Sequence, residues 1–163
     1  MKYLKLTVLF SGMIVLASSC RKNDFAAEVP TEISIPTATD VKWISLTNWS
    51  SKQSENTTTF FNRVSDTSIT YSVAKAGMIL VYKKDGSSIK ALPLQDGTVS
   101  WNYQVSTGAL LINSENNDGS NLSKSGFSYF IITPEKLSAL QAGGKTRMDL
   151  LNLSYEQAAD LLK

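Results

Sequence analysis

The sequence predicts a mainly β protein: an antiparallel β-sandwich or a β-meander folded on itself, with short helices including one at the C-terminus. Three observations predict it. Short apolar and β-branched runs recur from residue 41 to residue 133, bounded by turn signals. Asp85–Gly86, Asp96–Gly97 and Thr107–Gly108 fall between such runs, where hairpins turn. Val99, Trp101, Tyr103 and Val105 alternate strictly with Ser100, Asn102 and Gln104, the period of a half-buried strand. About seven strands in ~90 residues is the density of a sandwich or meander.

Each element has its own signal. Val41 to Thr47 is β-branched and carries Trp43, Ile44 and Leu46; Thr57 to Val64 is rich in Thr and Phe. In SITYSVAKAG, Ser68 is placed to cap a short helix and Gly77 to end it in the left-handed conformation. MILVYKK follows, apolar on both faces, as a central strand is. Ser88 to Leu94 returns as one strand, with Pro93 putting its end at an edge or bulge. After Val99 to Val105 come ALLIN, a long polar loop SENNDGSNLSKSG, and Phe127 to Thr133, again apolar on both faces. Thr133–Pro134–Glu135 reads as an N-cap with proline at the first helical position, opening a helix to Gln141. Gly143–Gly144 stops it. Ser154 and Gln157 form a capping box for a last helix, Tyr155 to Leu162.

The N-terminus has a different character. Lys2 and Lys5 precede an uncharged run, Leu6 to Ala17. That run is too short for a bilayer core, which takes about twenty helical residues. Basic start, short apolar middle and small residues at the end are the parts of a secretory signal peptide. Its end, Ala17–Ser18–Ser19–Cys20, resembles the lipobox of bacterial lipoproteins, in the serine-rich form typical of Bacteroidota. The resemblance implies cleavage before Cys20, the chain's single cysteine, and acylation of its sulfur, so that Cys20 is the stem of a lipid. Two or three acyl chains anchor stably where one holds only marginally. The expected organisation is therefore a signal peptide over 1–19, a lipidated tether over 20–39 and one β-rich domain over 40–163. The tether carries Pro30 and Pro36 and no sustained period, and a first strand at Ile33 to Ile35 is its alternative.

Three further stretches carry a second resemblance: Gly77 to Tyr82, Leu92–Pro93 and Phe127 to Ile132. A glycine entering an "ILVY"-like strand, "LP" after the hairpin and a late "F-x-Y-x-I-I" strand resemble a family of small exported domains of Bacteroidota lipoproteins. The likeness covers roughly residues 40–160. It implies a fold and an envelope location, and no mechanism.

Composition excludes more than it selects. The formal charge is +2, but without Lys2 and Lys5 the remaining chain is neutral. Nothing in it supplies the basic patch that nucleic acid requires. There is no histidine, and the lipobox resemblance commits the one cysteine to lipid. Ser-His-Asp and Cys-His catalysis, His/Cys zinc sites and an intrachain disulfide are thereby removed. No cofactor is expected.

Four motifs compete with plainer explanations. Ser72 and Lys75 fit S-x-x-K, but the companion S-D-N and K-T-G motifs are missing from their places, so a helix surface is the better account. AGGKT, Ala142 to Thr146, has Ala139 where a phosphate loop needs its first glycine, and follows a helix instead of a strand. The loop Asn113 to Asn121 is rich in oxygen ligands, which leaves calcium open, although Ser114 and Ser125 stand where an EF-hand needs carboxylates. Glu115 and Asp118 in that loop are solvated carboxylates before they are a glycosidase pair. Trp49, flanked by Asn48 and Ser50, could stack on a sugar ring; against that, Trp43, Trp49 and Trp101 could all sit in the core.

The sequence thus points to a lipid-anchored, non-enzymatic interaction or structural module of the cell envelope, held to the outer membrane through Cys20. Its partner would be an envelope protein or a glycan. The alternative is a carbohydrate-binding β-sandwich with Trp49 and Asn48 as contacts.

Overall fold

A strand apolar on both faces must be covered on both faces, and this protein has two of them side by side. The computed structural model describes residues 43–54, 57–116, 118–120 and 122–162. Cys20, the expected signal peptide and tether, and Ile33 to Ile35 lie outside the described residues. One antiparallel sheet runs β1 (Ile44–Ser45), β9 (Gly126–Ile132), β4 (Met78–Asp85), β5 (Ser88–Ala91). The other runs β2 (Ser50–Ser54), β3 (Thr57–Ser65), β8 (Ala109–Glu115), β7 (Val99–Ser106), β6 (Leu94–Asp96). The helices are α1 (Tyr71–Ala76), α2 (Pro134–Ala142), α3 (Arg147–Leu151) and α4 (Tyr155–Leu162), and a single 3₁₀ turn covers Leu122–Lys124. The protein is a β-sandwich with its C-terminal helices laid over the outer face of the first sheet.

Side chains alternate across a strand, so β4 and β9 serve two cores at once. Ile79, Val81 and Phe127 face the second sheet, packing with Ile44, Val64, Trp101, Leu110 and Ile112. Met78, Leu80, Tyr82, Phe130 and Ile132 face the helices, packing with Leu137, Leu150 and Ala158. Each core has a tyrosine tie. The Tyr103 hydroxyl donates to the Ile79 carbonyl across the sandwich at 2.7 Å. The Tyr82 hydroxyl donates to the Leu153 carbonyl of the helical layer at 3.1 Å. Burial pushes Tyr82 up to about 12, with the Glu156 charge adding to the rise.

β7 keeps the expected alternation. Trp101 is buried and Val99, Tyr103 and Val105 pack beside it into the inter-sheet core. The three expected turns are two-residue hairpin loops, with Gly86, Gly97 and Gly108 at positive φ. Thr133 caps α2, and the Ser154–Gln157 box closes through both of its bonds, at 2.9 and 3.2 Å.

Several expectations are corrected. Thr70, and not Ser68, caps α1, accepting from the Val73 amide at 3.3 Å; the Ser68 amide instead bonds the Asp66 carboxylate at 2.8 Å. Gly77 is extended and not left-handed. It must be glycine because a Cβ there would meet the Ile132 carbonyl oxygen at 2.6 Å. Ser88 to Leu94 is not one strand. The chain leaves the first sheet at Ala91, passes the cis Leu92–Pro93 bond and joins the second sheet as β6. Within the described part of Val41 to Thr47, only Ile44–Ser45 pairs. The polar loop before β9 contains the 3₁₀ turn, anchored by buried Leu122. The stretch after Gly144 is not a plain linker: Thr146 and Asp149 build a capping box that starts α3. β2 is new; all five of its residues are exposed, so no apolar period marks it.

Candidate functional site: a cleft at the Asp–Gly end of the sandwich

β4, β6 and β8 all run toward the same end of the sandwich. Each is followed there by an Asp–Gly pair: Asp85–Gly86, Asp96–Gly97 and Asp118–Gly119. All three glycines have positive φ, at 57°, 62° and 84°, the backbone that lets the chain turn back sharply. The three turning segments leave a half-open cleft of about 610 Å³ between the sheets. It is lined by Asp85, Asp96, Asp118, Lys83, Lys124, Trp101, Val99, Thr98 and Asn116 among others.

Lys83 is the central side chain. It lies in phase with Ile79 and Val81 on β4, so it points between the sheets, where it is 5 % exposed. An ammonium buried to that depth needs partners. Lys83 has two: an ion pair with Asp85, and the Trp101 ring, whose centroid is 4.6 Å from Nζ. Burial lowers the Lys83 pKa from its ordinary value; the Asp96 carboxylate works against that fall and Lys90 works with it. Asp85 is fixed from its other oxygen by the Ser125 hydroxyl at 2.7 Å, which ties the end of the 116–125 loop to β4.

The rim is less tightly held. Asp96 lies 3.8 Å from Lys90. Asp118 accepts from the Ser120 amide at 2.9 Å and its hydroxyl at 2.7 Å, and these bonds hold its carboxyl below the usual range. The Asn116 side-chain amide donates to the Thr98 carbonyl at 3.3 Å, joining two of the loops. Beneath the cleft, Trp101 meets Trp49 edge-on at 5.9 Å and Phe127 at 5.7 Å.

Trp49 is half-buried against the inter-sheet core, and its indole N–H donates to the Leu46 carbonyl at 2.9 Å. Asn48 is exposed, and its carbonyl accepts from the Asn62 side chain at 2.9 Å. Neither lines the cleft. Trp43 packs on the other side of the first sheet, 4.9 Å from Tyr155. Ser72 and Lys75 lie exposed on α1, the Ser72 hydroxyl bonded to Thr70 and Lys75 over the Tyr71 ring. In the 113–121 loop, no three acidic, histidine or cysteine side chains among the described residues stand together to hold a metal ion.

Sequence reasoning missed Lys83 and the meeting of the three aspartates. Two signals carried them. One is the lysine set in phase with the inward side of an apolar strand. The other is the recurrence of Asp–Gly after every second strand, which puts the aspartates at one end once the strands are antiparallel. Neither names a ligand. No family model, curated protein or solved structure matches the chain.

Proposed function

We propose that this protein is a lipid-anchored, non-enzymatic interaction module of the bacterial cell envelope, held at the outer membrane through Cys20, that meets its partner at the Asp–Gly cleft. The observation that carries the reading is the cleft itself: three separate turns bring charged side chains to one opening. The lipobox-like Ala17–Ser18–Ser19–Cys20 supports the anchor. No helix among the described residues is long and apolar enough to cross a membrane. The polar groups of the cleft support binding over catalysis. Asp85 is already engaged by Lys83 and Ser125, and the Ser120 bonds hold Asp118 as a carboxylate, the form that accepts hydrogen bonds from a ligand.

Two arms test it. Cys20→Ala should move the protein out of the detergent phase with its circular dichroism unchanged; continued partitioning like the parent would sink the anchor. A photo-crosslinking residue at exposed Thr98, at the cleft, should give a discrete adduct in intact cells. The same residue at exposed Ser138 on α2 should not. Equal adducts at both positions would mean that the cleft is not the binding end.

A further inference from the structure

We infer that the ligand of the cleft is a neutral, polyhydroxylated molecule: a saccharide segment of two or three rings. This rests on the cleft being the binding end. Its charges balance once Lys90, outside the lining but 3.8 Å from Asp96, is counted. Asp85, Asp96 and Asp118 face Lys83 and Lys124 in the lining, with Lys90 beside Asp96. An anion would meet three carboxylates, and a cation would meet the Lys83 and Lys124 ammoniums of the lining. The innermost pair, Lys83 and Asp85, is already neutralised. A metal ion lacks a ligand set among the described residues.

An apolar ligand fits no better. Pockets for such ligands are walled mainly by hydrophobic side chains. Here Val99 is the half-buried aliphatic in the lining, and Trp101 is 3 % exposed beneath the Lys83 ammonium. What remains are closely set charged acceptors and donors, with a hydroxyl at Thr98 and an amide at Asn116. A sugar hydroxyl donates one hydrogen bond and accepts two. Vicinal hydroxyls therefore suit an opening that sets exposed carboxylates beside a hydroxyl and an amide, and neither partner needs a net charge. The volume of about 610 Å³ falls within the ~300–1,000 Å³ of small-molecule sites.

The site also differs from the one that Trp49 would make. Trp49 offers a half-buried ring away from the opening, with its N–H already bonded. The contacts assigned here are Asp96 and Asp118 on the rim. Both are exposed, so changing them should leave the fold intact.

The test uses the full lipidated chain in a detergent without sugar head groups. Maltotriose, cellotriose, xylotriose and N-acetylchitotriose are titrated by calorimetry, with tri-lysine and citrate as charged controls. At least one of the trisaccharides should bind. The Asp96→Ala/Asp118→Ala double variant should weaken it by about tenfold or more, the effect of losing a hydrogen bond to a charged group. Because the ligand is neutral, affinity should change less than about twofold between roughly 0.05 and 0.5 M salt, where surface charge interactions are strongly screened. Binding by none of the four, binding that the double variant leaves unchanged, or salt-sensitive binding of tri-lysine or citrate alone would each overturn the inference. The Thr98 crosslink separates this from the broader reading: a cleft that crosslinks in cells but takes no saccharide keeps its role as the binding end.

Discussion

The two ends of the sandwich solve the same problem differently. At the end away from the cleft, the chain leaving β3 folds back across the opening. Asp66 accepts from the Tyr129 hydroxyl of β9 at 2.7 Å, and its own amide donates to the Gly108 carbonyl of the β7–β8 turn at 3.0 Å. Ile69 then drops into the core at 0 % exposed, followed by Val73 of α1. At the other end the chain turns through DGSS, QDGT and the 116–125 loop, whose one buried apolar anchor is Leu122. There the last buried inward residue of β4 is a lysine. Both ends bury an ionisable side chain, and both satisfy it. One end closes because its connecting segment carries large apolar residues off the sheet, and the other stays open because its turns carry small and charged ones. The difference separates a plugged end from an open cleft.

The largest expected effect lies at the floor between the ends. Trp101→Ala should cost ~3–5 kcal/mol in urea unfolding, the range for a large aromatic lost from a core. That is a large part of a typical ~5–15 kcal/mol stability. Trp101 is nearly sealed, and its ring meets Trp49, Phe127 and Lys83. Asn102→Ala, on the outer side of the same strand, should stay within about 0.5 kcal/mol. A cheap Trp101→Ala would mean that solvent already reaches the floor of the open end.

What was legible in the sequence follows the same division. β4, β7 and β9 were readable because period and burial agree in them: Val99, Trp101, Tyr103 and Val105 face the core their alternation promised. α2 and α4 were readable from local capping chemistry. β2 was not, since SSKQS pairs through its backbone and buries nothing. The sheet switch at Leu92–Pro93 was not, because only tertiary packing decides which sheet a short strand joins. α3 was masked by a glycine pair that looked like a linker, although its Thr146–Asp149 box was present in the sequence. The site was the least legible part. Its aspartates are far apart in the chain, and each alone is an ordinary turn residue; only strand direction brings them together.

The closed end supplies the next effect. Tyr129→Phe should cost ~1–3 kcal/mol, because Asp66 is 8 % exposed and would lose its hydroxyl partner. The same pair predicts an alkaline weakness. Burial pushes the Tyr129 hydroxyl well above its ordinary value, and the hydrogen bond to Asp66 and the Asp66 charge push it further. The folded state therefore keeps a proton that the unfolded chain gives up. This contribution is complete below the ordinary tyrosine value near ~10 and is lost as pH rises beyond it. Tyr82, at about 12, acts in the same direction between ~10 and 12. Urea midpoints at pH 9 and pH 11 should fall for the parent and fall less for Tyr129→Phe. Parallel declines would show that the closed end does not depend on this proton.

Of the changes at the two ends, the smaller is at the open end and concerns Lys83. Lys83→Met removes a buried ammonium and leaves an unbranched apolar chain, one atom shorter, to lie against the Trp101 face. Two opposing terms should nearly cancel. The Asp85 partner is lost, but Asp85 is 49 % exposed and keeps the Ser125 hydroxyl, so water can replace the ammonium. Against that, Met has no desolvation cost, the same cost that lowers the Lys83 pKa. The net change should stay within about 1 kcal/mol in either direction, since an ion pair with one exposed partner contributes little and an apolar replacement of a buried charge is often neutral. The pH dependence sharpens the sign. A lysine whose folded pKa is lowered binds its proton more weakly in the folded state, so its contribution improves as pH climbs from that lowered value toward the ordinary ~10.4. That rise should vanish in Lys83→Met, leaving the tyrosine decline alone above pH ~10. If Lys83→Met instead costs as much as Tyr129→Phe, the ammonium is a structural plug, and the two ends of the sandwich are alike after all.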